Sequence, residues 1–247
     1  RDFYALRLRR NSENLTLGYL GTHVDRPILD REATVHASDF EYRPNENVRV
    51  NGALLNSKIN NETGYGFRTG FLNTPSKSFS TGAGIYYFDD TIDLSDMGYL
   101  YRNDFLMLAG RTQFKNTDLP SESLSRERNY VLNYSYTTDT DWNKEPTNFS
   151  VTLENGFKNF TDLQLKTFFR SSGRDNQITR KYAASPYIEM PKGYGYELQY
   201  MNMSGKKYKF MMSLMRRKGE EYASALGWNK AYDFMVEYTP VDSLSYS

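Results

Sequence analysis

The chain has 247 residues, which suits one large all-β domain or two smaller domains at most. Its 31 Lys and Arg residues balance 30 Asp and Glu residues without a basic cluster, so charge gives no case for nucleic-acid binding. The absence of cysteine excludes disulfides, zinc–thiolate sites and thiol nucleophiles. Aromatic residues make up 15% of the chain although the mean hydropathy is −0.72, an unusual combination for a soluble core.

Apolar and polar residues alternate with a period of two along most of the chain. Successive side chains of a strand point to opposite faces, so this alternation predicts strands with one apolar and one polar face. No apolar run approaches the roughly 18–20 residues that a membrane-spanning helix needs. The chain is therefore predicted to be all-β. The clearest alternating segments, in chain order, are 14–19, 47–52, 130–136, 194–200, 208–216 and 232–238.

The predicted connections alternate between short and long. This asymmetry is typical of bacterial outer-membrane barrels, which have tight periplasmic turns and longer external loops, whereas a soluble sandwich has no reason to keep it. The link 115–127 is the exception, because it should be short and is long. The short turns are 11–13, 44–47, 74–77, 158–162, 204–207 and 240–243. The long links are 22–31, 56–63, 88–100, 138–147, 171–192 and 216–226.

The number of predicted strands indicates whether the chain holds a whole barrel or part of one. The links separate about thirteen strands, with a fourteenth beginning at Leu244, so the first strand starts at the external end if short turns are periplasmic. The chain opens on Arg1 with neither a start methionine nor a signal peptide. Residues 1–247 are therefore predicted to be a single segment, truncated at both ends, of a larger antiparallel up-and-down transmembrane β-barrel.

A barrel wall accounts for the composition, because only every second residue of a strand must be apolar. Tyr208, Tyr232 and Tyr238 end their apolar faces, as residues of an aromatic girdle do. The opposite face would line a lumen; the alternative is the solvent face of a soluble antiparallel sheet. Outer-membrane lipid and lipopolysaccharide are the expected surroundings. The candidate lumen-lining residues are Arg7, Arg9, Arg49, Arg68, Arg111, Glu197, Lys209, Asp233 and Glu237.

Three motifs resemble the DUF5916 family. They are Gly-Tyr-Leu-Gly-Thr-His-Val-Asp-Arg-Pro at 18–27, Ala-Ser-Asp-Phe-Glu-Tyr-Arg-Pro-Asn-Glu-Asn-Val-Arg-Val-Asn-Gly at 37–52, and Asp-Leu-Ser-Asp-Met-Gly-Tyr-Leu-Tyr-Arg-Asn-Asp at 93–104. The last has Tyr99 where the family usually has Phe, and the motifs cover roughly residues 3–115. The residues of this family-motif loop are Asp96, Gly98, Arg102, Asn103 and Asp104.

The resemblance implies an outer-membrane barrel of the kind that follows a family-9 carbohydrate-binding-like domain. No such sugar-binding module is present in this chain, and the family offers no catalytic residues to carry over. The Arg-Asn-Asp end of the loop motif is expected to fix the loop by hydrogen bonds rather than to catalyse a reaction.

Acidic residues of the link before residue 105 form a candidate Ca²⁺ loop, because Ca²⁺ takes several oxygen ligands. The alternative is an ordinary solvated loop. His23 and His36 have no nucleophile motif around them, so no catalytic residue and no cofactor is predicted. The candidate Ca²⁺ ligands are Asp89, Asp90, Asp93 and Asp96.

Aromatic residues also fall in or beside the long links. They could stack on glycans or contact an envelope protein partner, or they could belong to the outer aromatic girdle. The polar, basic segment 171–181 is a loop tip that could meet anionic surface sugars or simply be solvated. These loop aromatics are Trp142, Tyr182, Tyr187 and Trp228.

The sequence thus predicts a non-enzymatic protein of the bacterial outer membrane. The leading hypothesis is a pore, a transporter, or a channel for secretion or for binding a partner polypeptide. The alternative is a barrel that anchors a carbohydrate-binding envelope protein. A soluble all-β binding protein or an outer-membrane hydrolase comes third, and nucleic acid is not an expected partner.

Overall fold

The computed structural model describes residues 2–95, 100, 102–176, 187–202, 207–219, 227–241 and 244–246. These residues are almost entirely strands, with one 3-10 turn at Pro27–Leu29. The strands are β1 (Asp2–Asn11), β2 (Leu15–Arg26), β3 (Arg31–Asn45), β4 (Val48–Ile59), β5 (Glu62–Ser76), β6 (Phe79–Phe88), β7 (Phe105–Asn116), β8 (Ser125–Thr138), β9 (Asn148–Phe157), β10 (Asp162–Arg170), β11 (Gly173–Asp175), β12 (Ile188–Met190), β13 (Gly193–Asn202), β14 (Tyr208–Lys218), β15 (Trp228–Val241) and β16 (Leu244–Tyr246).

The strands form a meander in which neighbours in the chain are neighbours in the sheet. A 14-stranded antiparallel sheet runs from β1 to β10 and continues through β13 to β16, while β11 and β12 form a separate two-stranded ribbon. This confirms the predicted all-β antiparallel class and the additional strand at Leu244. Within the described residues β1 pairs only with β2 and β16 only with β15, so the sheet is open.

Two of the predicted long links, 22–31 and 56–63, are wrong. Strands β2 and β3 are joined by residues 27–30, and β4 and β5 by residues 60–61 alone. Asp30 (φ 48°) and Asn60 (φ 51°) adopt the left-handed conformation that Asp and Asn tolerate, which lets these strands turn tightly and lengthens them. At the same end of the sheet the later links are long: 89–104, 139–147, 171–192 and 219–227.

The opposite end of the sheet carries the connections that the sequence predicts to be short. Six of the seven span five residues or fewer. The seventh, predicted as 115–127, narrows to 117–124 because both flanking strands extend into it. The seven connections are 12–14, 46–47, 77–78, 117–124, 158–161, 203–207 and 242–243.

The two faces of the sheet differ sharply in chemistry. Cross-strand partners project to the same side, so the pairing of Arg49 with Leu72, Gly82 and Arg111 in successive strands defines a polar face. The next residue of each strand belongs to the apolar face. Most large exposed hydrophobic side chains of the sheet lie on that apolar face, including Leu8, Phe40, Leu54, Leu108, Tyr134, Phe169, Met212 and Phe234.

A small hydrophobic core lies where the link 89–104 folds back onto the polar face. Ile92 is 1% exposed and packs with Phe88 and Phe105. Beneath it, Gly64 and Gly66 leave the space that the link occupies, since a Cβ at Gly64 would overlap the Ile92 backbone. Gly64 and Gly66 thus serve close packing. No helix among the described residues is long and apolar enough to cross a membrane.

Candidate functional site

A cavity of about 720 Å³ opens on the polar face. Its lining comes from strands between β4 and β14, so the sheet curls with the polar face inside. Gly70, Gly82 and Gly84 contribute no side chains and leave room within it. The charged and polar side chains of the lining that share the polar face are Arg49, Asn51, Ser80, Arg111, Asn133, Ser135, Asn148, Ser150, Lys166 and Arg217.

Three arginines of the cavity lie on a single row of cross-strand partners. Arg111 is three strands from Arg49 along this row, and Arg217 is eight strands from Arg49. Because the pairing is antiparallel and without a shift along the row, all three guanidinium groups share the polar face. The row runs through Arg49, Leu72, Gly82, Arg111, Asn133, Ser150, Phe168, Gly195 and Arg217.

The charges of this cavity are not balanced. Lys166 adds a fourth cation, and no carboxylate belongs to the described lining. Arg49 has no hydrogen-bond or ion-pair partner among the described residues, and its Nε is buried. Arg111 donates only a long bond from Nη2 to Gln113 Oε1 (3.4 Å). Arg217 lies over the Phe168 ring (4.9 Å) and 3.9 Å from Glu197 Oε2.

A second cavity on the polar face, of about 260 Å³, has the opposite character. Lys115 Nζ is 2.7 Å from Glu127 Oε2, and Arg126 Nη2 donates to Asp162 Oδ1 over 2.7 Å. The remaining carboxylate, Glu154, accepts from the side-chain amides of Asn129 (2.6 Å) and Gln164 (2.8 Å). The excess of positive charge is thus a property of the first cavity rather than of the whole face.

All nine residues predicted to line a lumen lie on the polar face, as the strand registers require. Arg49 and Arg111 belong to the cavity. Two ion pairs neutralise other members of the set, Arg7 with Asp39 (2.6 Å) and Lys209 with Glu237 (3.0 Å), and Asp233 accepts a hydrogen bond from Ser213. Arg9 donates from Nε to Asn11 Oδ1 (2.9 Å). Arg68 lies on β5, two strands from Asp39 in the same row of cross-strand partners, and Glu197 accepts from Gln199.

The sequence interpretation missed Lys166 and Arg217. Lys166 follows the alternation of Leu163-Gln-Leu-Lys on β10, so its face could be read from the sequence. Arg217 was placed in the long link 216–226, whereas β14 extends to Lys218. Assigning these two residues to strands would have placed both on the polar face.

The family-motif loop is fixed by a hydrogen-bond network at the end of the sheet with the long links. Arg102 donates from both terminal nitrogens to the carboxylate of Glu145, Nη1 reaching Oε2 over 2.9 Å. Asp104 accepts from Thr140 Oγ1 (2.5 Å) and from Asn176 Nδ2 (2.6 Å). Asn103 Nδ2 donates to the carbonyls of residues 90 and 92. The motif thus joins three links, while Asp96 and Gly98 lie outside the described residues.

Residues 7–244 match the family model described as Domain of unknown function (DUF5916). The chain belongs to the DUF5916 family. The resemblance carried by motifs in residues 3–115 is therefore confirmed, and it extends over nearly the whole DUF5916 chain.

No curated protein matches this DUF5916 sequence. Among solved structures, a "Bacterial polysaccharide outer membrane secretin" is similar, with a TM-score of 0.48 and 11% sequence identity. The match covers 96% of the DUF5916 chain and 78% of the chain of that structure.

Among the described residues of the DUF5916 chain, the candidate Ca²⁺ ligands belong to no group of side chains that could hold a metal ion. Asp89 accepts from the backbone amides of Tyr65 (2.6 Å) and Ile92 (2.7 Å), which occupies both of its oxygens. Asp90 joins no group of acidic or histidine side chains that could hold a metal, in the part of the chain that the structure describes. Asp96 lies outside that part.

The carboxylate of Asp93 likewise accepts hydrogen bonds, from Arg31 and Ser95. Arg31 Nη2 donates to Asp93 Oδ2 over 2.8 Å, and the Ser95 amide donates to Oδ1 over 2.8 Å. Burial raises the pKa of the Asp93 carboxyl, but the bonds from Ser95 and Arg31 outweigh burial, so the pKa lies below its ordinary value. The carboxylate therefore holds the link 89–104 to β3.

The loop aromatics occupy different settings. Trp142 lies in the link before β9 and is 74% exposed. Trp228 opens β15 on the apolar face, where it contacts the Tyr194 ring (5.8 Å) and the Arg216 guanidinium (4.1 Å). Tyr187 lies under the Arg174 guanidinium (4.4 Å), and Tyr182 is outside the described residues. Of the three loop aromatics that the structure describes, Trp228 alone lies at the end of a strand, as a girdle residue would.

The two histidines lie on the apolar face. His23 Nδ1 is 3.1 Å from Thr34 Oγ1, and His36 Nδ1 is 2.6 Å from Tyr19 Oη. Each ring also stacks on a tyrosine of a neighbouring strand, His23 on Tyr4 and His36 on Tyr19. These contacts are cross-strand packing on the sheet surface.

Proposed function

We propose that this sheet is the wall of an outer-membrane β-barrel through which polar solutes pass. In this proposal the apolar face contacts lipid, and the polar face lines a water-filled lumen. The protein belongs to the bacterial outer membrane, with lipid and lipopolysaccharide around the wall. The links 89–104, 139–147 and 171–192 lie together at one mouth of the passage.

The observation that carries the proposal is the exposure of apolar side chains on one face of the sheet. Phe234 is 74% exposed, Tyr232 73% and Leu54 67%, and their face continues across every strand of the 14-stranded sheet from β1 to β15. A soluble protein rarely exposes an apolar patch larger than a few hundred Å². Lipid is the solvent in which such a face is stable.

The other features of the sheet agree with this proposal. Strands β2 to β10 and β13 to β15 have 9–15 residues, enough to cross a hydrocarbon layer with tilt. Aromatic pairs flank the apolar face: Tyr194 and Trp228 at one end, and Tyr208 and Tyr238, 4.8 Å apart, at the other. Aromatic girdles at both interfaces are a property of outer-membrane barrels.

Cysteine substitutions provide the test, because this chain contains no cysteine. The matched pairs are Ser150→Cys with Phe149→Cys, and Ser135→Cys with Tyr136→Cys, each joining a polar-face residue to its apolar-face neighbour. In native membranes a charged maleimide should label the serine positions, and only a lipid-soluble maleimide should label the aromatic positions. Equal labelling of both members by the charged reagent, or recovery of the protein without detergent, would contradict the proposal.

Transport needs a separate measurement. In planar lipid bilayers the purified protein should give discrete conductance steps that depend on the charge of the polar face. A membrane-inserted protein without conductance would contradict the passage of solutes and favour a barrel that anchors a carbohydrate-binding envelope protein.

A further inference from the structure

We infer that the cavity containing Arg49, Arg111, Lys166 and Arg217 binds organic solutes that carry two or more carboxylate or phosphate groups. The inference rests on the cavity itself and does not require that the sheet conduct solutes across a membrane. It concerns a binding site within the polar face, whereas the proposed function concerns the sheet as a whole.

The cavity carries a local excess of positive charge. The whole chain has a formal net charge of +1, yet four cations and no carboxylate belong to the described lining of this cavity. Elsewhere on the polar face Arg7 pairs with Asp39 and Lys115 with Glu127, whereas among the described cations of the cavity only Arg217 has an ion-pair partner, Glu197 at 3.9 Å. Like charges in a concave site of reduced dielectric concentrate a positive potential, which attracts and holds anions.

The cations of the cavity are widely spaced. Neighbouring strands lie about 4.8 Å apart, so Arg49 and Arg111 originate roughly 14 Å apart on the sheet. A single small ion cannot contact both guanidinium groups at that spacing unless both side chains converge on it. A solute with two separated anionic groups can contact both, and a cavity of about 720 Å³ has the size of a small-molecule site.

The donors of the cavity have the chemistry of an anion site. Guanidinium groups bind carboxylate and phosphate through two parallel hydrogen bonds, and the buried Nε of Arg49 has no hydrogen-bond partner among the described residues. Asn51, Asn133 and Ser150 add amide and hydroxyl groups to the same lining. These groups suit the uncharged polar atoms of an organic acid or of a phosphorylated or acidic sugar.

Calorimetric titration of the folded protein in detergent micelles, at low ionic strength, tests the inference with three probes. Citrate represents carboxylates, inorganic pyrophosphate represents phosphates, and glucose is the uncharged control. Citrate, pyrophosphate or both should bind, with an affinity that falls as salt rises, and glucose should not. Comparison of the two anions identifies which group the site prefers. Absence of binding by both anions would overturn the inference.

Variants assign the binding to the cavity. Arg49→Gln and Arg111→Gln should each weaken anion binding roughly tenfold or more, since each removes charged hydrogen bonds. Arg9→Gln, which alters a polar-face arginine outside the cavity, should leave the affinity unchanged. Should either arginine variant lose the native circular dichroism spectrum, Lys166→Gln replaces it with the same expectation. Equal weakening by Arg9→Gln, or none by the cavity variants, would overturn the inference.

Discussion

Arg102 and Glu145, 43 residues apart in the chain, form a two-point ion pair that connects the link before β7 to the link before β9. Their side chains are only 13% and 9% exposed. A buried pair is costly to break by removing one partner, because the other charge is left unpaired in a dry environment. The pair therefore holds together two links that are far apart in the sequence.

Arg102→Ala should lower the free energy of unfolding by about 3–5 kcal/mol, the usual cost of leaving a buried carboxylate without its partner. Denaturant unfolding in detergent micelles measures this loss. The matched control is Arg174→Ala, which removes the exposed ion pair with Glu189 and should cost at most about 1 kcal/mol. Equal losses in the two variants would contradict a structural role for the buried pair.

Gly64→Ala should detach the link 89–104 from the polar face, because the added Cβ would overlap the backbone of Ile92. Overpacking of this kind costs roughly 1–3 kcal/mol. Limited digestion with chymotrypsin should cut near Leu94 faster in the variant than in the native chain. Gly70→Ala is the control, since its Cβ would meet only the tip of Asn51 at 3.2 Å. Unchanged cleavage in Gly64→Ala would show that the link is not seated on this glycine.

Acid should weaken the attachment of the same link through Asp93. The folded-state pKa of Asp93 is lowered, so its contribution to stability is present above the ordinary Asp pKa of about 3.9 and is lost as pH falls through the folded value. Thermal unfolding of Asp93→Asn should accordingly depend less on pH below about pH 4 than that of the native chain. Curves with the same pH dependence for Asp93→Asn and for the native chain would refute the assignment.

The two tryptophans should report different surroundings in lipid vesicles. Trp228, on the apolar face at a strand end, should be quenched by brominated lipid, whereas the exposed Trp142 should be quenched by aqueous iodide. The single-tryptophan variants Trp142→Phe and Trp228→Phe separate the two signals. Strong quenching of Trp228 by iodide, without quenching by lipid, would be inconsistent with the proposed membrane position.

Much of the sheet could be predicted from the sequence, because the faces of a strand and its tight turns are determined by residues close together in the chain. Alternation with a period of two fixes which residues share a face, and this places Arg49, Arg111 and Glu237 on one side before any pairing is known. Tight turns are also local, and Asn60 before Asn61 carries a hairpin signal that the prediction of a long link overlooked.

The contacts of the long links could not be predicted, because they depend on which distant segments meet. Nothing in the sequence near Arg102 specifies Glu145, and nothing near Ile92 specifies Gly64 as the surface beneath it. The β11–β12 ribbon within 171–192 has only three residues in each strand, so its alternation is too brief to be recognised. Such contacts arise from tertiary packing.

The meander order of the sheet has a kinetic consequence. Each described strand of the main sheet pairs with the preceding one, and the longest link between successive partners is 171–192. Loop-closure entropy grows only slowly with loop length, so no step requires distant parts of the chain to find each other. The sheet can therefore assemble hairpin by hairpin, because each strand forms the edge with which the next strand pairs.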